Sequence, residues 1–329
     1  MTRLGVTVPV EDGLSAPRLV ELMATAEQLG YHTALCGEVA GVEVPAILAA
    51  AAGATETIRL GSGIVGTTTR PATLTAMAFA TLSSLAPGRI VAGLGASSPI
   101  VVGRWHGLPF DRPLTTTREF IDIFRAAMSG EKVDYDGEML HSHGFRLAMQ
   151  PGGDVPVWLA AINDRMLQLA GASADGVFLT WCPPDEVATK LEQVAIGAES
   201  AGRSVDDLEV ILSFWCYAGD RPEVAIERMR RSVLAYAMVP THQHAFVNAF
   251  PGLAAAADAW AEGDRKTALA HVGDDVVNHF CAIGTEAVAE RVAAYHAAGV
   301  DTPLLLLTGA EVGDDSGPEA TMRALAPTT

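Results

Sequence analysis

Hydrophobic and polar positions along this chain switch repeatedly between two periods. Short apolar runs at residues 4–8, 33–36, 58–64, 89–93, 155–160, 176–180, 208–217 and 303–307 read as strands buried on both faces. Longer stretches with helical spacing separate them, at 17–29, 45–54, 71–85, 115–128, 165–171, 184–201, 222–237 and 285–298. Pro17, Pro45 and Pro71 sit in or beside first turns, and Gly30 and Gly299 stand just past helix ends, where such residues start and stop helices. Eight strands alternating with helices predict an α/β chain folded as a (β/α)8 TIM barrel with insertions; a doubly wound sheet would give the same burial pattern, and the count of eight favours the barrel. The whole of 1–329 is expected to be one barrel domain. The regular alternation fails twice, predicting a hairpin insertion near 130–150, with its turn signal at Asp136–Gly137, and an Ala-rich helical insertion near 238–280. After Gly309 the tail is polar and acidic and predicts no element.

Two strands end abruptly in small residues. Arg59-Leu60-Gly61-Ser62-Gly63-Ile64-Val65 and Gly93-Leu94-Gly95-Ala96-Ser97-Ser98 fall in successive β/α units. Small residues at the carboxyl ends of barrel strands let a flat ligand approach the backbone closely. The second stretch begins like a dinucleotide fingerprint, but it lacks the third Gly and does not follow the first strand, so it is weak Rossmann evidence.

Charge narrows the partners. With 39 acidic against 22 basic residues, a net charge of −17, no Lys/Arg cluster presents itself to a phosphate backbone, so neither nucleic acid nor an anionic membrane is an expected partner. Hydrophobic residues make up 49%, enough for a large core, yet no apolar run is long enough to span a bilayer. Cys36, Cys182, Cys216 and Cys281 lie in or beside apolar runs without paired spacing and read as buried thiols. The chain enters its first strand at Leu4, so no leader peptide is expected, and the expectation is a cytoplasmic protein acting on a small molecule.

Several residues could carry chemistry. Glu38, just past the second strand, could hold a proton or accept a ligand hydrogen bond, or be a solvated loop residue. Trp105-His106-Gly107 lies on the long connection after the fourth strand, where an aromatic and a His can cover a flat ligand or simply pack the loop. The pairs His141/His143 and His242/His244 lack a third ligand at supporting spacing, so no metal is expected. Asn163 reads as a helix cap whose neighbouring N–H groups could receive a phosphate, with Asp164 opposing an anion there. Thr180-Trp181 ends the sixth strand, where a hydroxyl and an indole can line a pocket.

These motifs, in this order, resemble the luciferase-like monooxygenase superfamily: residues 58–64 with Thr69-Arg70-Pro71-Ala72, Gly93 to Ser97, the Trp105-His106-Gly107 core, Val155-Pro156-Val157-Trp158-Leu159-Ala160-Ala161, and Ala174-Asp175-Gly176. Within it the chain is most similar to the branch that uses the deazaflavin coenzyme F420. The resemblance implies a non-proline cis peptide at Gly63–Ile64 supporting the deazaflavin ring, with Val65 beside it. It implies an acidic cofactor neighbour at Glu38, cofactor contacts from Ala96, Ser97 and Ser98, and a phosphate side at Ile162, Asn163 and Thr180. The sugar-phosphate dehydrogenases of that branch carry a His beside the acidic residue and a Glu in the turn after strand four. Val39 and Ser98 stand there instead, so glucose 6-phosphate is not an expected substrate.

The resulting expectation is an F420-dependent oxidoreductase, with Glu38 or His106 handling the proton and a substrate pocket drawn from Trp105, Trp181, Trp215, Tyr236 and His242. A hydride would pass between the deazaflavin and a small, apolar substrate bearing C=O, C=N or C=C. An FMN-dependent monooxygenase using O2 and a cofactor-free barrel are the alternatives. The family implies a homodimer.

Overall fold

Eight parallel strands close on themselves in the computed structural model, which describes residues 3–327. They are β1 (Gly5–Thr7), β2 (Thr33–Cys36), β3 (Arg59–Ser62), β4 (Ile90–Gly95), β5 (Val157–Ala160), β6 (Gly176–Thr180), β7 (Glu209–Tyr217) and β8 (Thr302–Leu307). Each pairs with its neighbour in sequence, and β8 returns to β1 with Leu304 opposite Gly5, so the sheet is a closed (β/α)8 barrel without an edge.

Alternation along each strand sorts side chains between two cores. Leu35, Val91, Trp158, Phe178, Ile211 and Leu304 form a cluster of their own, the packed interior of the barrel. Val6, Ala34, Leu60, Ala92, Leu159 and Leu212 face outward into the larger cluster shared with the helices. The interior has no spare room: a Cβ on Gly61 would lie 2.9 Å from both Leu35 Cδ2 and the Val91 carbonyl oxygen. At the amino-terminal end, the Arg59 guanidinium sits 4.9 Å from the Trp158 ring and 3.0 Å from Glu209, closing the barrel floor.

Local signals set the element limits. The helix Ala16–Gln28 is capped by Ser15, whose hydroxyl accepts the Arg18 N–H, and Gly30 takes φ 84° immediately beyond it. Glu27 on that helix accepts the backbone N–H groups of Glu56, Thr57 and Ile58, fixing the approach to β3.

The structure refines the sequence expectation in some places and departs from it in others. The run 58–64 does not stay one strand: β3 stops at Ser62, and Val65–Gly66 forms a separate short pairing with Leu94–Gly95. The hairpin is present as Val133–Asp136 against His141–Phe145, in a sheet apart from the barrel. The stretch near 238–280 is four short helices, Gln243–Ala249, Leu253–Ala261, Arg265–Ala270 and Asp274–Phe280, broken at Pro251, Gly263 and Gly273 and packed around Phe246, Val276, Phe280 and Trp215. The connection after β4 contains a wide-turned helix, Ile100–Trp105. The polar tail forms a helix, Ser316–Ala324, because Asp314 accepts the Ser316 and Gly317 N–H groups at its start and Arg18 binds Glu319 from the first helix. A strand at Cys281–Ile283 also extends the sheet beside Trp215–Tyr217. No helix among the described residues is long and apolar enough to cross a membrane.

Candidate active site

All eight strands deliver residues from their carboxyl ends to one cavity of about 360 Å³, the size of a small-ligand pocket and the position expected for a barrel enzyme. Its walls come from Val8 to Asp12 after β1, Gly37 to Val39 after β2, Gly63 and Ile64 after β3, and Gly95 to Ser98 after β4. Ala160, Ile162 and Asn163 follow β5, Thr180 and Trp181 end β6, Ser213 and Trp215 lie on β7, and Leu306 to Thr308 end β8.

The floor is the break after β3. The Gly63–Ile64 peptide is cis, as the resemblance implies, and both residues line the cavity. The turn after β4 sits beside it. Ser97 there has φ 63°, a left-handed conformation uncommon outside Gly, and the Ala96 carbonyl oxygen accepts the Thr68 hydroxyl at 2.7 Å. Trp181 also has positive φ, 50°, so two of the three such non-Gly residues among those described line this cavity. Irregular backbone of this kind collects where a ligand must be met.

Glu38 is tied to that floor. Its backbone N–H donates to the Ile64 carbonyl oxygen at 3.2 Å, and its carboxylate accepts the Val44 N–H at 3.2 Å. Arg70 lies 3.4 Å from the carboxylate but 2.7 Å from Glu43, so it is shared. Burial raises the Glu38 pKa above the usual carboxylate range; the Val44 N–H and Arg70 offset this only in part. A proton can therefore be held on Glu38 closer to neutrality than on an exposed Glu.

The opposite wall is aromatic. The Trp181 ring centroid is 4.6 Å from Tyr236, 5.1 Å from His242, and 5.6 Å from both Trp215 and Phe246. The Tyr236 hydroxyl donates to Glu11 at 3.1 Å. Burial pushes the His242 pKa down to about 4, so its ring is neutral at pH 7. Arg228 reaches the same region but is saturated: it pairs with both carboxylate oxygens of Asp12 and donates to the Gly309 carbonyl oxygen at 2.9 Å.

Seven buried side-chain polar atoms among the described residues lack a hydrogen-bond partner, and four belong to residues lining this cavity: Thr7 Oγ1, Trp181 Nε1, Thr241 Oγ1 and His242 Nδ1. Native interiors leave few such groups unmet, so their concentration here marks a place where a ligand completes the structure.

The structure brings together Glu38, Gly63, Ile64, Ala96, Ser97, Ser98, Ile162, Asn163, Thr180, Trp181, Trp215, Tyr236 and His242. It places others elsewhere. Trp105 is 53% exposed at the end of the 100–105 helix, and neither it nor exposed His106 lines the cavity; the His106 charge reaches Glu38 only through space. Val65 is fully buried, turned into the core by the period-two alternation that presents Ile64 to the cavity. Asn163 stands at the cap position of the helix Asp164–Ser173, but its amide donates to the Thr241 carbonyl oxygen at 3.2 Å instead of capping. The paired His141 and His143 lie on the hairpin, and His244 bonds Asn248; no group of three or more His, Cys, Asp or Glu among the described residues is arranged to hold a metal. All four cysteines are free and buried.

Sequence reasoning missed Glu11, Asp12, Arg228, Ser232, Phe110 and Met166. Glu11 and Asp12 come shortly after β1 as Glu38 comes shortly after β2, so the strand-end signal that picked out Glu38 was present there too. Arg228 lies in the middle of the helix Pro222–Ala237 and carries no local signal.

A parallel barrel whose carboxyl-end loops enclose one ligand-sized cavity is the architecture of an enzyme. The luciferase-like monooxygenase model matches residues 2–302, and the chain belongs to that family. It is 33% identical over 182 residues to the 5,10-methylenetetrahydromethanopterin reductase of Methanolobus tindarius, a match spanning 55% of each chain. It is 34% identical over 229 residues to the F420-dependent glucose-6-phosphate dehydrogenase of Nocardia farcinica, covering 64% of this chain and 68% of that one. Among solved structures, the coenzyme F420 dependent tetrahydromethanopterin reductase of Methanopyrus kandleri superposes with a TM-score of 0.81 at 22% identity, over 99% of this chain and 98% of that one. Homologues of this chain are F420-dependent oxidoreductases.

Proposed function

We propose that this protein is an F420-dependent oxidoreductase acting on a small, uncharged organic substrate at the carboxyl face of its barrel. The observation that carries this reading is the cavity floor. Gly63–Ile64 and Gly95 to Ser98 present only glycine, alanine, serine and one isoleucine to a ligand-sized space that all eight strand ends surround. The F420 dependence named for its relatives supplies the cofactor.

The residues suit the two ends of such a cofactor. Gly63, Ile64, Ala96, Ser97 and Ser98 form a surface on which a planar ring can lie, with no bulky polar side chain between ring and backbone. Ile162, Asn163 and Thr180 line the same cavity, and Lys190 donates to the Ile162 carbonyl oxygen at 3.4 Å, a positive charge suited to the phosphate-bearing tail of the cofactor. When bound in reduced form, F420 supplies a hydride to an electrophilic carbon. The rest falls to the protein. Trp181, Trp215, Tyr236 and His242 confine the substrate over the ring and exclude water, and their fixed packing contributes orientation. Glu38, with its raised pKa beside the floor, holds the proton that balances hydride transfer.

The test is anaerobic turnover: purified protein is mixed with reduced F420 and a panel of ketones, imines and enones, and the return of oxidised deazaflavin absorbance is followed. Substrate-dependent oxidation supports the reading. Absence of F420 binding, or, in a parallel aerobic assay, oxidation of reduced FMN coupled to O2 uptake, sinks it.

A further inference from the structure

Proton and hydride chemistry leave open what the aromatic wall recognises. Trp181 is the centre of that wall, with four aromatic rings within 5.6 Å of its centroid. Rings in mutual contact this way form one continuous apolar wall, and a flat or cyclic body can lie on the face that Trp181, Trp215, Tyr236 and His242 turn to the cavity. Three hydrogen-bonding groups of this wall are buried and unpartnered, the Trp181 indole N–H, the Thr241 hydroxyl and His242 Nδ1. Asn163 occupies the Thr241 carbonyl oxygen but leaves its hydroxyl free.

The chemistry of those groups restricts the ligand. An indole N–H is a donor only, so it is satisfied by an acceptor and by nothing else. A cation offers no acceptor. An anion does, but the ionisable acids and bases lining the cavity, the neutral His242 apart, are Glu11, Asp12, Glu38 and Arg228, and Arg228 is already saturated by Asp12 and main-chain carbonyls. A further cation, Lys190, lies by the Ile162 carbonyl oxygen, among the residues assigned to the phosphate-bearing tail of F420, so a second, substrate-borne anion would face Glu11, Asp12 and Glu38 without it.

We infer that the wall formed by Trp181, Thr241, Tyr236 and His242 is a subsite for an uncharged cyclic carbonyl compound, whose oxygen accepts from the Trp181 indole with the Thr241 hydroxyl beside it. The inference rests on the cavity being the substrate site proposed above, and it adds which substrates that site selects. It also assigns Trp181 a second task, as specificity-determining donor as well as packing surface.

The experiment is calorimetric binding of four ring-matched probes to the full chain, with and without oxidised F420: cyclohexanone, methylenecyclohexane, 4-oxocyclohexanecarboxylate and cyclohexyltrimethylammonium. Cyclohexanone is expected to bind more tightly than the other three. Trp181→Phe keeps a ring and removes the donor, and should weaken cyclohexanone about 10-fold while leaving methylenecyclohexane unchanged. Thr241→Val, which holds the volume, provides a second variant should Trp181→Phe fold poorly, and should weaken the ketone selectively too. Equal losses for ketone and hydrocarbon, or preferred binding of the carboxylate or the ammonium, overturn the inference. F420 titration in the same samples separates the two claims: normal F420 binding without ketone selectivity defeats the subsite alone, and ketone selectivity without F420 binding defeats the cofactor reading alone.

Discussion

The Glu38 backbone N–H donates to the Ile64 carbonyl oxygen at 3.2 Å, so the acid after β2 and the residue that forms the cavity floor after β3 hold each other in place. Glu38 therefore gains its position through the main chain, and its carboxylate, held by the Val44 N–H and shared Arg70, is still tuned chiefly by burial.

That separation yields the first prediction. Because burial raises the folded-state pKa of Glu38, the fold binds its proton more tightly than the unfolded chain does. Stability gained from this group is present at low pH and lost as pH rises through the folded pKa. Glu38→Gln keeps an acceptor for Val44 but cannot ionise. It should lower turnover about 100-fold, yet leave Tm at pH 8 unchanged or raised. A large fall in Tm with proportionate loss of activity would make Glu38 a structural residue.

A second prediction contrasts two glycines of β4. A Cβ on Gly95 would meet only the Ile64 side chain at 3.1 Å and Ala160 Cβ at 3.2 Å, whereas one on Gly93 would collide with the Ser62 carbonyl oxygen. Gly95→Ala should fold with little loss of Tm but push Ile64 into the cavity and weaken cofactor binding. Gly93→Ala should lower Tm sharply, because the backbone of β3 has to move. Similar Tm values for the two variants would refute this account of the floor.

Glu119 gives a prediction far from the site. It is 1% exposed and accepts the N–H groups of Glu138, Met139 and Leu140, holding the turn of the 133–145 hairpin. Burial alone would raise its pKa, but the three N–H groups outweigh it and the net shift is downward. Its contribution is complete above the ordinary Glu range and is lost as pH falls through the folded pKa. Glu119→Ala should cost about 3 kcal/mol and speed amide exchange in the hairpin, with F420 affinity unchanged. Unaltered exchange at Met139 and Leu140 would contradict this.

Arg228 and Asp12 supply the fourth. Asp12 is 4% exposed, so Arg228→Met leaves a buried carboxylate without its cation. The variant should lose about 3–5 kcal/mol of stability, measured by urea denaturation. Asp12→Asn in the same background should recover part of the loss by removing the stranded charge. If the double variant is no more stable than Arg228→Met, the pair does not carry this weight.

The sequence disclosed the barrel because strands buried on both faces leave uninterrupted apolar runs, and Pro and Gly mark the helix ends between them. It disclosed the floor through Gly63 and Gly95, since small residues at strand ends are a local signal. Where pattern is not local, it was silent. Trp105 and Trp181 look alike in sequence, each an aromatic on a strand-end connection, and only the path of the chain exposes the first and sets the second, half-buried, in the cavity wall. Arg228 is one polar residue on an amphipathic helix, and its pairing with Asp12, 216 positions away, has no trace in composition or period. The tail helix was missed because its start is set by one side chain, Asp314, and its anchoring by Arg18 from the opposite end of the chain.

The measurement that bears most directly on the central claim is parallel calorimetric titration of the purified protein with F420 and with FMN. Saturable F420 binding at one site per chain, weakened by Gly95→Ala, with FMN silent, is the expected result. Binding of FMN without F420, or of neither, would contradict it.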